Sequence, residues 1–348
     1  FNFPFFLNIV KVVPALAVGC TVVLKPHQWT PLDAYEIARA GQDAGLPPGV
    51  LNVITGGPDL GAELTTHPMV DMVTFTGSTA TGRAIMAAAA PTVKRLQLEL
   101  GGKSALIILD DVPEQHVASM GVGSSMIHAG QGCAILTRVL VPEHLLDAYL
   151  EGAKASLSYL KVGDPAEPDT IIGPLIREQQ RQRVEGYVQT GLDEGAELIF
   201  GGRRPEHLTK GFFYEPTLFS NVDNKMRIAQ EEIFGPVLTV QTYKDEQEAI
   251  RIANDSIFGL GGGVLTANTA RGFNVARQLR TGSVNVETVG SSVSNFQAAG
   301  GTGPGWGPLP GGIGITGVFG GFKQSGVGRE WGHHGMEEFT ELKTISWG

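Results

Sequence analysis

The sequence predicts an α/β fold built on parallel sheets and divided into more than one domain. Three observations lead to this prediction: the length of 348 residues, apolar runs that alternate with amphipathic stretches, and glycine or proline between them. Because a domain averages roughly 150 residues, a chain of this length should hold about two. Alternating strand and helix patterns imply a parallel sheet with helices on its faces.

The first hundred residues carry the alternation most clearly. The predicted strands are residues 21–25, 50–55 and 70–77. The stretch 31–45 predicts a helix, with Thr30 as its N-cap, Pro31 at its first position and Gly45 just past its end. This β-α-β order indicates a parallel sheet in the first part of the chain.

The pattern restarts after residue 103 and predicts a second α/β domain. Its predicted strands are residues 104–111, 196–200, 236–243 and 261–266, and its predicted helices are 113–128, 142–158, 175–191 and 245–255. Glycine and proline then crowd residues 298–321, which is an uncommon length for a loop inside a compact enzyme. We interpret this stretch as a lid, a mobile loop or a sequence artefact.

Composition limits the partners. The formal net charge of -9 and the lack of a basic stripe argue against binding to nucleic acid or to an anionic membrane, so we expect small-molecule partners. No apolar run reaches the roughly 18 residues of a membrane span. Two cysteines form neither a disulfide framework nor a zinc spacing, which favours a reducing, cytoplasmic compartment and no metal. The chain begins FNFPFF, so we interpret it as an N-terminally truncated piece whose targeting region is not visible.

Three positions stand out as reactive or binding candidates. Cys133 lies among small residues in HAGQGCAILTR and is expected near a helix start, a setting that favours a nucleophilic thiol, whereas Cys20 lies in an apolar run and is expected to pack. Glu99 precedes a double glycine and is either a buried base with a raised pKa or a water-facing residue on an edge strand. From the residues alone, Cys133 equally fits a protease, a redox sensor or a buried thiol.

Two further positions suggest a nucleotide. Lys25 ends a predicted strand, where ligands gather in open α/β sheets, although most such lysines are simply solvated. Gly77 and Ser78 follow another strand and would open a helix whose N-terminus attracts phosphate, or would only cap it.

Taken together, seven segments resemble the aldehyde dehydrogenase superfamily in order and in spacing: FNFP, VVLKP, TFTGST, LELGGKS, GQGC, EEIFGPV and FGGFKQSGVGRE. The resemblance implies an incomplete, parallel-sheet Rossmann-type cofactor domain and an α/β catalytic domain. Residues 1–100 would be the C-terminal part of the NAD(P)-binding domain, and residues 101–326 the catalytic domain with its glycine-rich insertion. Residues 327–348 would be a tail that serves the cofactor domain and oligomer contacts.

The resemblance also implies a reaction, the oxidation of an aldehyde to a carboxylic acid with NAD(P)+. Cys133 would be the nucleophile that carries a thiohemiacetal and then a thioester, and Glu99 would activate the water that hydrolyses it. Asn2 would donate its amide to the oxyanion, with Phe1 replacing the usual tryptophan. The presence of Glu99 favours hydrolysis over transfer to coenzyme A.

Cofactor contacts follow from the same resemblance: Lys25 toward the adenosine ribose, Gly77 and Ser78 toward the pyrophosphate, and Glu232 and Phe234 toward the nicotinamide ribose and ring. Gln28 stands where NAD-preferring relatives often place a glutamate. The loss of that negative charge weakens the case against a 2'-phosphate. NAD remains the first expectation, and NADP is the second.

Phe319 and the adjacent histidines His333 and His334 each have a structural interpretation beside a functional one. Phe319 matches a family position near the substrate tunnel, but an aromatic residue beside glycines is as often simple loop packing. His333 and His334 are adjacent and are expected at the surface rather than around a metal.

Two other functions stay open at this point. One is a cysteine esterase or thioesterase that uses Cys133 without a nucleotide, and the other is a catalytically inactive fragment. We expect the isolated chain to be unstable or inactive, because an incomplete parallel sheet exposes an apolar edge, and we expect the full-length parent to be a homo-oligomer.

Overall fold

The computed structural model describes residues 1–118, 121–289 and 317–348. These residues form two compact units. The first unit holds residues 1–100, 317–321 and 326–348, and the second holds residues 101–118, 121–289 and 322–325. The chain thus leaves the first unit at Leu100 and returns to it near the carboxyl end. Residues 298–316 of the predicted glycine-rich insertion lie outside the described residues.

The first unit begins with a helix that the sequence patterns did not predict. Helix α1 spans Pro4–Ala17, and Pro4 stands in its first turn, where the missing N–H has no intrahelical partner to lose. Val12 packs with Leu24 and Ile37 in a small core. Because the segment is apolar on almost every side, it lacks the one-sided periodicity by which amphipathic helices are identified.

Strands and helices then alternate as predicted. The elements are β1 (Val22–Leu24), α2 (Leu32–Asp43), β2 (Leu51–Val53), α3 (Pro58–Thr66), β3 (Met72–Thr76), α4 (Thr79–Ala89), a 3-10 turn (Ala90–Thr92) and β4 (Arg95–Glu99), followed near the carboxyl end by β14 (Gly326–Val327) and α11 (Gly332–Glu337). β1 and β2 form a parallel pair. β4 lies in the middle of a second sheet, parallel to β3 and antiparallel to β14.

The helix ends in this unit agree only in part with the sequence analysis. The predicted cap at Thr30 is wrong, because α2 begins at Leu32 after Pro31 and has no side-chain cap. Gly45 follows the end of α2 with a φ of 79°, as expected for a glycine in the left-handed region. Ser78 does cap α4, since its hydroxyl accepts a hydrogen bond from the Thr81 N–H at 3.1 Å.

The second unit contains the larger sheet. Its elements are β5 (Ser104–Ile108), α5 (Val122–Met126), β6 (Leu136–Pro142), α6 (Leu146–Ser158), α7 (Glu178–Asp193), β7 (Glu197–Phe200), β8 (Thr217–Ser220), α8 (Arg227–Gln230), β9 (Val237–Tyr243), α9 (Glu246–Asn254), β10 (Phe258–Gly259), β11 (Gly261–Thr266), α10 (Thr269–Ala276), β12 (Ser283–Thr288) and β13 (Phe322–Lys323), with 3-10 turns at Glu114–His116, Ile127–Gly130 and Glu143–Leu145. The strand order is β12-β11-β5-β6-β9-β8-β7. All neighbours are parallel except β7 and β8, and β10 pairs separately with β13.

Two predictions for this unit need correction. In the described residues of the helix predicted over 113–128, the structure has the 3-10 turn Glu114–His116, the short α5 and the start of the turn Ile127–Gly130, and Gly121 takes a φ of 89° that does not fit a continuous helix. Strand β8 was not predicted, since its four residues follow a proline and are too few to show a period.

Both faces of the large sheet are covered. In β6, Val139, Leu140 and Val141 are all fully buried. Val139 and Val141 belong to one apolar core and Leu140 to another. Because successive strand residues point to opposite faces, this division places one core on each side of the sheet.

Truncation of Leu140 to alanine should lower the free energy of unfolding by about 2–5 kcal/mol, because it leaves a cavity beneath a fully buried strand. Leu192→Ala is the matched control, since Leu192 is 41% exposed and its loss should cost under about 0.5 kcal/mol. Urea unfolding followed by fluorescence measures both. Equal losses in the two variants would contradict the assignment of Leu140 to a core.

Candidate active site

Cys133 is half-buried in a bend that follows the 3-10 turn Ile127–Gly130 and leads into β6. The expectation of a nearby helix start is wrong, because the next regular element is strand β6, which begins at Leu136. The bend that carries Cys133 therefore does not open a helix.

The loop before Cys133 is strained and is held by a side chain. His128, Ala129 and Gly130 all have positive φ angles, of 50°, 56° and 72°. For the two residues that carry a Cβ this conformation costs about 1–2 kcal/mol each. Gln131 bridges the loop, since its Nε2 donates to the His128 carbonyl at 3.0 Å and its Oε1 accepts from the Ile176 N–H at 3.1 Å.

Three of the family-like segments meet at Gly102. An ideal Cβ built on Gly102 would lie 2.3 Å from the carbonyl oxygen of Cys133, so only glycine fits there. The Gly102 N–H also donates to Oε1 of Glu232 at 2.9 Å. LELGGKS, GQGC and EEIFGPV are therefore in direct contact within the second unit.

A fourth segment joins them through Ser325, whose side chain is completely buried. Its hydroxyl donates to the Gly101 carbonyl at 2.6 Å and accepts from the Gly259 N–H at 2.9 Å. Ser325 belongs to FGGFKQSGVGRE, and the sequence analysis gave it no role. A small hydroxyl residue beside glycines carries little pattern, which is why its contacts were not predicted.

Buried charge surrounds this meeting point. Burial raises the pKa of Glu232 to about 7, against the Gly102 N–H bond and the charges of Arg183 and Lys103, which lower it. Burial lowers the pKa of Lys103 to about 7, helped by Arg138 and opposed by Glu232 and Glu231. Glu232 therefore lies in an environment that penalises a permanent negative charge.

Helix α7 fixes the backbone around Glu232. Gln180 Nε2 donates to the carbonyls of Phe234 at 2.7 Å and Ile233 at 3.2 Å. Arg183 donates to the Glu232 carbonyl at 2.6 Å. These bonds hold Phe234 at a φ of 61°, an uncommon conformation for a residue other than glycine. Neither Gln180 nor Arg183 was predicted from the sequence to serve the site.

Glu99 is the last residue of β4 in the first unit, and it is 2% exposed. The alternative of a water-facing edge residue is wrong, since strands flank β4 on both sides. Within the described part of the chain, neither carboxylate oxygen has a hydrogen-bond partner. Burial, and then the charge of Glu330, raise the pKa of Glu99 well above its usual value, while Lys11 and Arg329 act in the opposite direction.

Lys11 and Glu330 form an ion pair in the same unit, with side chains 12% and 2% exposed. Lys11 extends from α1, and the Glu330 backbone exchanges two hydrogen bonds of 2.7 Å with Phe319. The sequence analysis assigned neither charge a role. A single lysine inside the apolar run FFLNIVKVV was the available signal, because buried lysines are nearly always paired.

Asn2 is half-buried just before α1, and its role toward an oxyanion stays a prediction. Phe319 stacks on Trp331 with ring centroids 4.7 Å apart and planes 26° apart. This contact accounts for the aromatic side chain by loop packing, so the assignment of Phe319 to a substrate tunnel also stays a prediction.

The predicted nucleotide residues of the first unit have chemistry that suits a dinucleotide. Lys25 directly follows β1, and its Nζ donates at 3.3 Å to its neighbour Pro26, while burial lowers its pKa. Gly77 and Ser78 are exposed at the start of α4, where backbone N–H groups favour a phosphate. Gln28 is exposed and adds no charge.

Residues 1–118, 121–289 and 317–348 were also searched for a metal site and for a membrane-spanning helix. In these residues no group of three or more His, Cys, Asp or Glu side chains is placed to hold a metal ion, and no helix has the length and apolar character to cross a bilayer. His333 and His334 are exposed, as predicted, and both lie beside Glu337.

Comparisons with known proteins agree with this fold and with the family resemblance. The model of the aldehyde dehydrogenase family matches residues 1–307 and 310–345. A 3-succinoylsemialdehyde-pyridine dehydrogenase of Pseudomonas sp. is 48% identical over 346 residues, which are 99% of this chain and 68% of that protein. A Mycobacterium tuberculosis aldehyde dehydrogenase complexed with NAD+ has a TM-score of 0.88 and 46% identity, over 98% of this chain and 66% of its own. A mutant of aldehyde dehydrogenase C of Pseudomonas syringae, complexed with NAD+ and octanal, has a TM-score of 0.89 and 41% identity. The match covers 99% of this chain and 67% of that protein's chain.

The α/β fold is thus shared with aldehyde dehydrogenases of known structure. The chain belongs to the aldehyde dehydrogenase family. It spans about two thirds of the length of these relatives. The family resemblance and the fold class predicted from the seven segments are confirmed.

Replacing Gly102 with alanine should lower aldehyde turnover about a hundredfold, because the new Cβ would displace the Cys133 backbone from its position. The control is Gly186→Ala in α7, where an added Cβ meets nothing within 4 Å. That variant should keep full activity and gain slightly in melting temperature. Wild-type turnover in the Gly102 variant would contradict the close contact.

Proposed function

We propose that this protein oxidises an aldehyde to a carboxylic acid with NAD(P)+. The observation that carries the proposal is the packing of Gly102 against both Cys133 and Glu232, since it joins the segment of the nucleophile to the segment assigned to the cofactor. The NAD+ complexes of the relatives support NAD as the cofactor.

The first step belongs to Cys133. Its thiolate attacks the aldehyde carbon, a carbon–sulfur bond forms, and the carbonyl electrons move to oxygen to give the alkoxide of a thiohemiacetal. The Asn2 side-chain amide and the Cys133 N–H would donate hydrogen bonds to that oxygen. In other acyl-transfer sites the loss of one such donor costs roughly 3–4 kcal/mol of barrier. The nicotinamide, when bound, supplies the acceptor for the two electrons and the hydrogen that leave carbon, and a thioester remains on Cys133.

The second step belongs to Glu99. Its carboxylate takes a proton from a water molecule while the water oxygen attacks the thioester carbon. The carbon–sulfur bond then breaks, the carboxylic acid leaves, and Cys133 is again a thiolate. A carboxylate whose pKa is raised by burial is a stronger base toward water than an exposed one, which suits Glu99 to this step.

The residues proposed for the nucleotide have complementary tasks. Lys25 would bind the adenosine ribose, and Gly77 with Ser78 would bind the pyrophosphate at the start of α4. Glu232 and Phe234 would orient the nicotinamide half, with α7 fixing their backbone. We propose NAD as the first cofactor, in line with the NAD+ complexes of the relatives. NADP is the second, because the uncharged Gln28 does not repel a 2'-phosphate.

Two variants test the mechanism. Cys133→Ala should abolish nucleotide reduction, because no other described thiol adjoins the Gly102 contact. Glu99→Gln should retain a rapid first burst of nucleotide reduction and then stop, because the thioester forms but no base activates water. Rapid mixing followed by mass spectrometry of the acylated enzyme separates the two outcomes.

The acid side of the pH profile gives an independent check on the same carboxyl group. Only ionised Glu99 is a base, and its pKa is raised, so thioester hydrolysis should increase with pH through a midpoint above the usual carboxylate range. The burst, which does not need Glu99, should lack this dependence. Undiminished steady turnover by the Glu99→Gln enzyme would remove Glu99 from the mechanism.

Nucleotide preference is tested by initial rates with NAD+ and NADP+ at saturating aldehyde. The wild-type enzyme should use NAD+ better while retaining measurable activity with NADP+. Gln28→Glu should reduce kcat/KM for NADP+ by about tenfold or more through charge repulsion and leave the value for NAD+ equal or higher. A wild-type preference for NADP+ would reverse our ordering.

A further inference from the structure

We propose that Gln97 is a positioning residue that holds Glu330 in place beside Glu99 and so adjusts the hydrolytic step. This inference rests on the proposed role of Glu99 as the base. Gln97 does not touch the substrate in this account and acts only through the backbone that carries Glu330.

Gln97 lies on β4 two residues before Glu99, so both side chains extend from the same face of the strand. Its side chain is 1% exposed. A buried amide is costly unless its polar atoms are bonded, and both ends of this amide are. Thr74, its register partner on β3, donates its hydroxyl to Gln97 Oε1 at 2.7 Å.

The other end of the amide reaches the segment after β14. Gln97 Nε2 donates to the carbonyl of Arg329 at 2.6 Å. That carbonyl belongs to the peptide that joins Arg329 to Glu330. Because the Thr74 hydroxyl can donate to Oε1 but the Arg329 carbonyl can only accept, the two bonds fix the orientation of the amide.

Glu330 is held from its other sides as well. Its backbone N–H and carbonyl both bond to Phe319 at 2.7 Å, and its carboxylate pairs with Lys11. The Arg329 N–H donates to Glu338 at 2.9 Å, and the Arg329 guanidinium donates to the Gly328 carbonyl at 2.7 Å. Two contacts tie this segment to the strand of Glu99: β14 pairs with β4 at Gly326 and Glu99, and the Gln97 side chain bonds to the Arg329 carbonyl further along.

The charged groups that act on Glu99 are Glu330, Lys11 and Arg329. Among them Glu330 has the largest effect and raises the Glu99 pKa, whereas the two cations lower it. Without the Gln97 bond the 329–330 peptide gains freedom, and the Glu330 carboxylate, still paired with Lys11, moves away from Glu99. The Glu99 pKa then falls, since the remaining cations favour the ionised carboxylate.

The test is the pH dependence of thioester decay on Cys133, followed in quenched samples by mass spectrometry. Gln97→Met removes the donor at nearly constant volume, and it should move the midpoint of hydrolysis to lower pH by about one unit. Thr74→Val leaves the Gln97 donor but frees its orientation, and it should shift the midpoint less and in the same direction. An unchanged or raised midpoint in both variants overturns the proposal.

Leu98→Ala is the matched control, because Leu98 is fully buried on the opposite face of β4. It should lower the melting temperature and leave the midpoint of hydrolysis unchanged. A shift in this variant equal to that of Gln97→Met would reduce the role of Gln97 to general strand stability and overturn the proposal. If Gln97→Met does not fold, Thr74→Val decides.

Glu99→Gln is measured in the same series, so that the role of Glu99 as base and the role of Gln97 as positioning residue are tested separately. If that variant turns over steadily, the assignment of Glu99 as base has failed and the role of Gln97 fails with it. If it stops at the thioester while Gln97→Met keeps the wild-type midpoint, only the role of Gln97 is refuted.

Discussion

The arrangement of the second unit depends on the absence of side chains at Gly101 and Gly102. A Cβ at Gly102 would collide with the backbone of Cys133, and one at Gly101 would lie 2.6 Å from a carboxylate oxygen of Glu232. Backbone atoms do not move aside as a flexible side chain does, so the Gly102 contact is the stricter of the two. Ser325 and Arg138 hold the same turn through the carbonyls of Gly101 and Lys103.

Each of the two units buries ionisable groups. Lys11 and Glu330 neutralise each other, but Glu99 faces them without a hydrogen bond from the described residues. Lys103 and Arg138 are both at most 2% exposed. Burial of this kind rarely adds stability, because desolvation offsets the attraction between charges. Its concentration around Glu99 and Glu232 therefore favours a chemical explanation over a structural one.

Much of the fold could be predicted from the sequence, because alternating apolar and amphipathic runs report local structure directly. The core strands β5, β9 and β11 and the helix α7 belong to this group, whereas β6 was not predicted. Helix α1 could not be predicted, since nearly all of its own residues are apolar, and the helix predicted over 113–128 was drawn across Gly121, whose φ of 89° does not fit a helix.

The candidate site divides in the same way. Cys133, Glu99 and Glu232 lie within three residues of a glycine in recognisable segments, so the sequence and the family resemblance were enough to propose them. Lys11, Gln97, Gln180 and Arg138 act through bonds to residues far along the chain, such as the 232 positions between Gln97 and Arg329. No pattern within one segment reports a partner at such a distance.

Arg138 illustrates what these long connections mean for folding. Its guanidinium, in the middle strand β6, bonds to Lys103, Asn224 and Ala253, which lie 35, 86 and 115 positions away. The charge can leave water at low cost only after all three partners have arrived. A sheet with β6 out of register would bury the Arg138 cation without its hydrogen bonds. Such a sheet would be less stable than the native one. Arg138 therefore favours the native strand order, because partners so far apart in the sequence meet around its guanidinium only when the strands are correctly assembled.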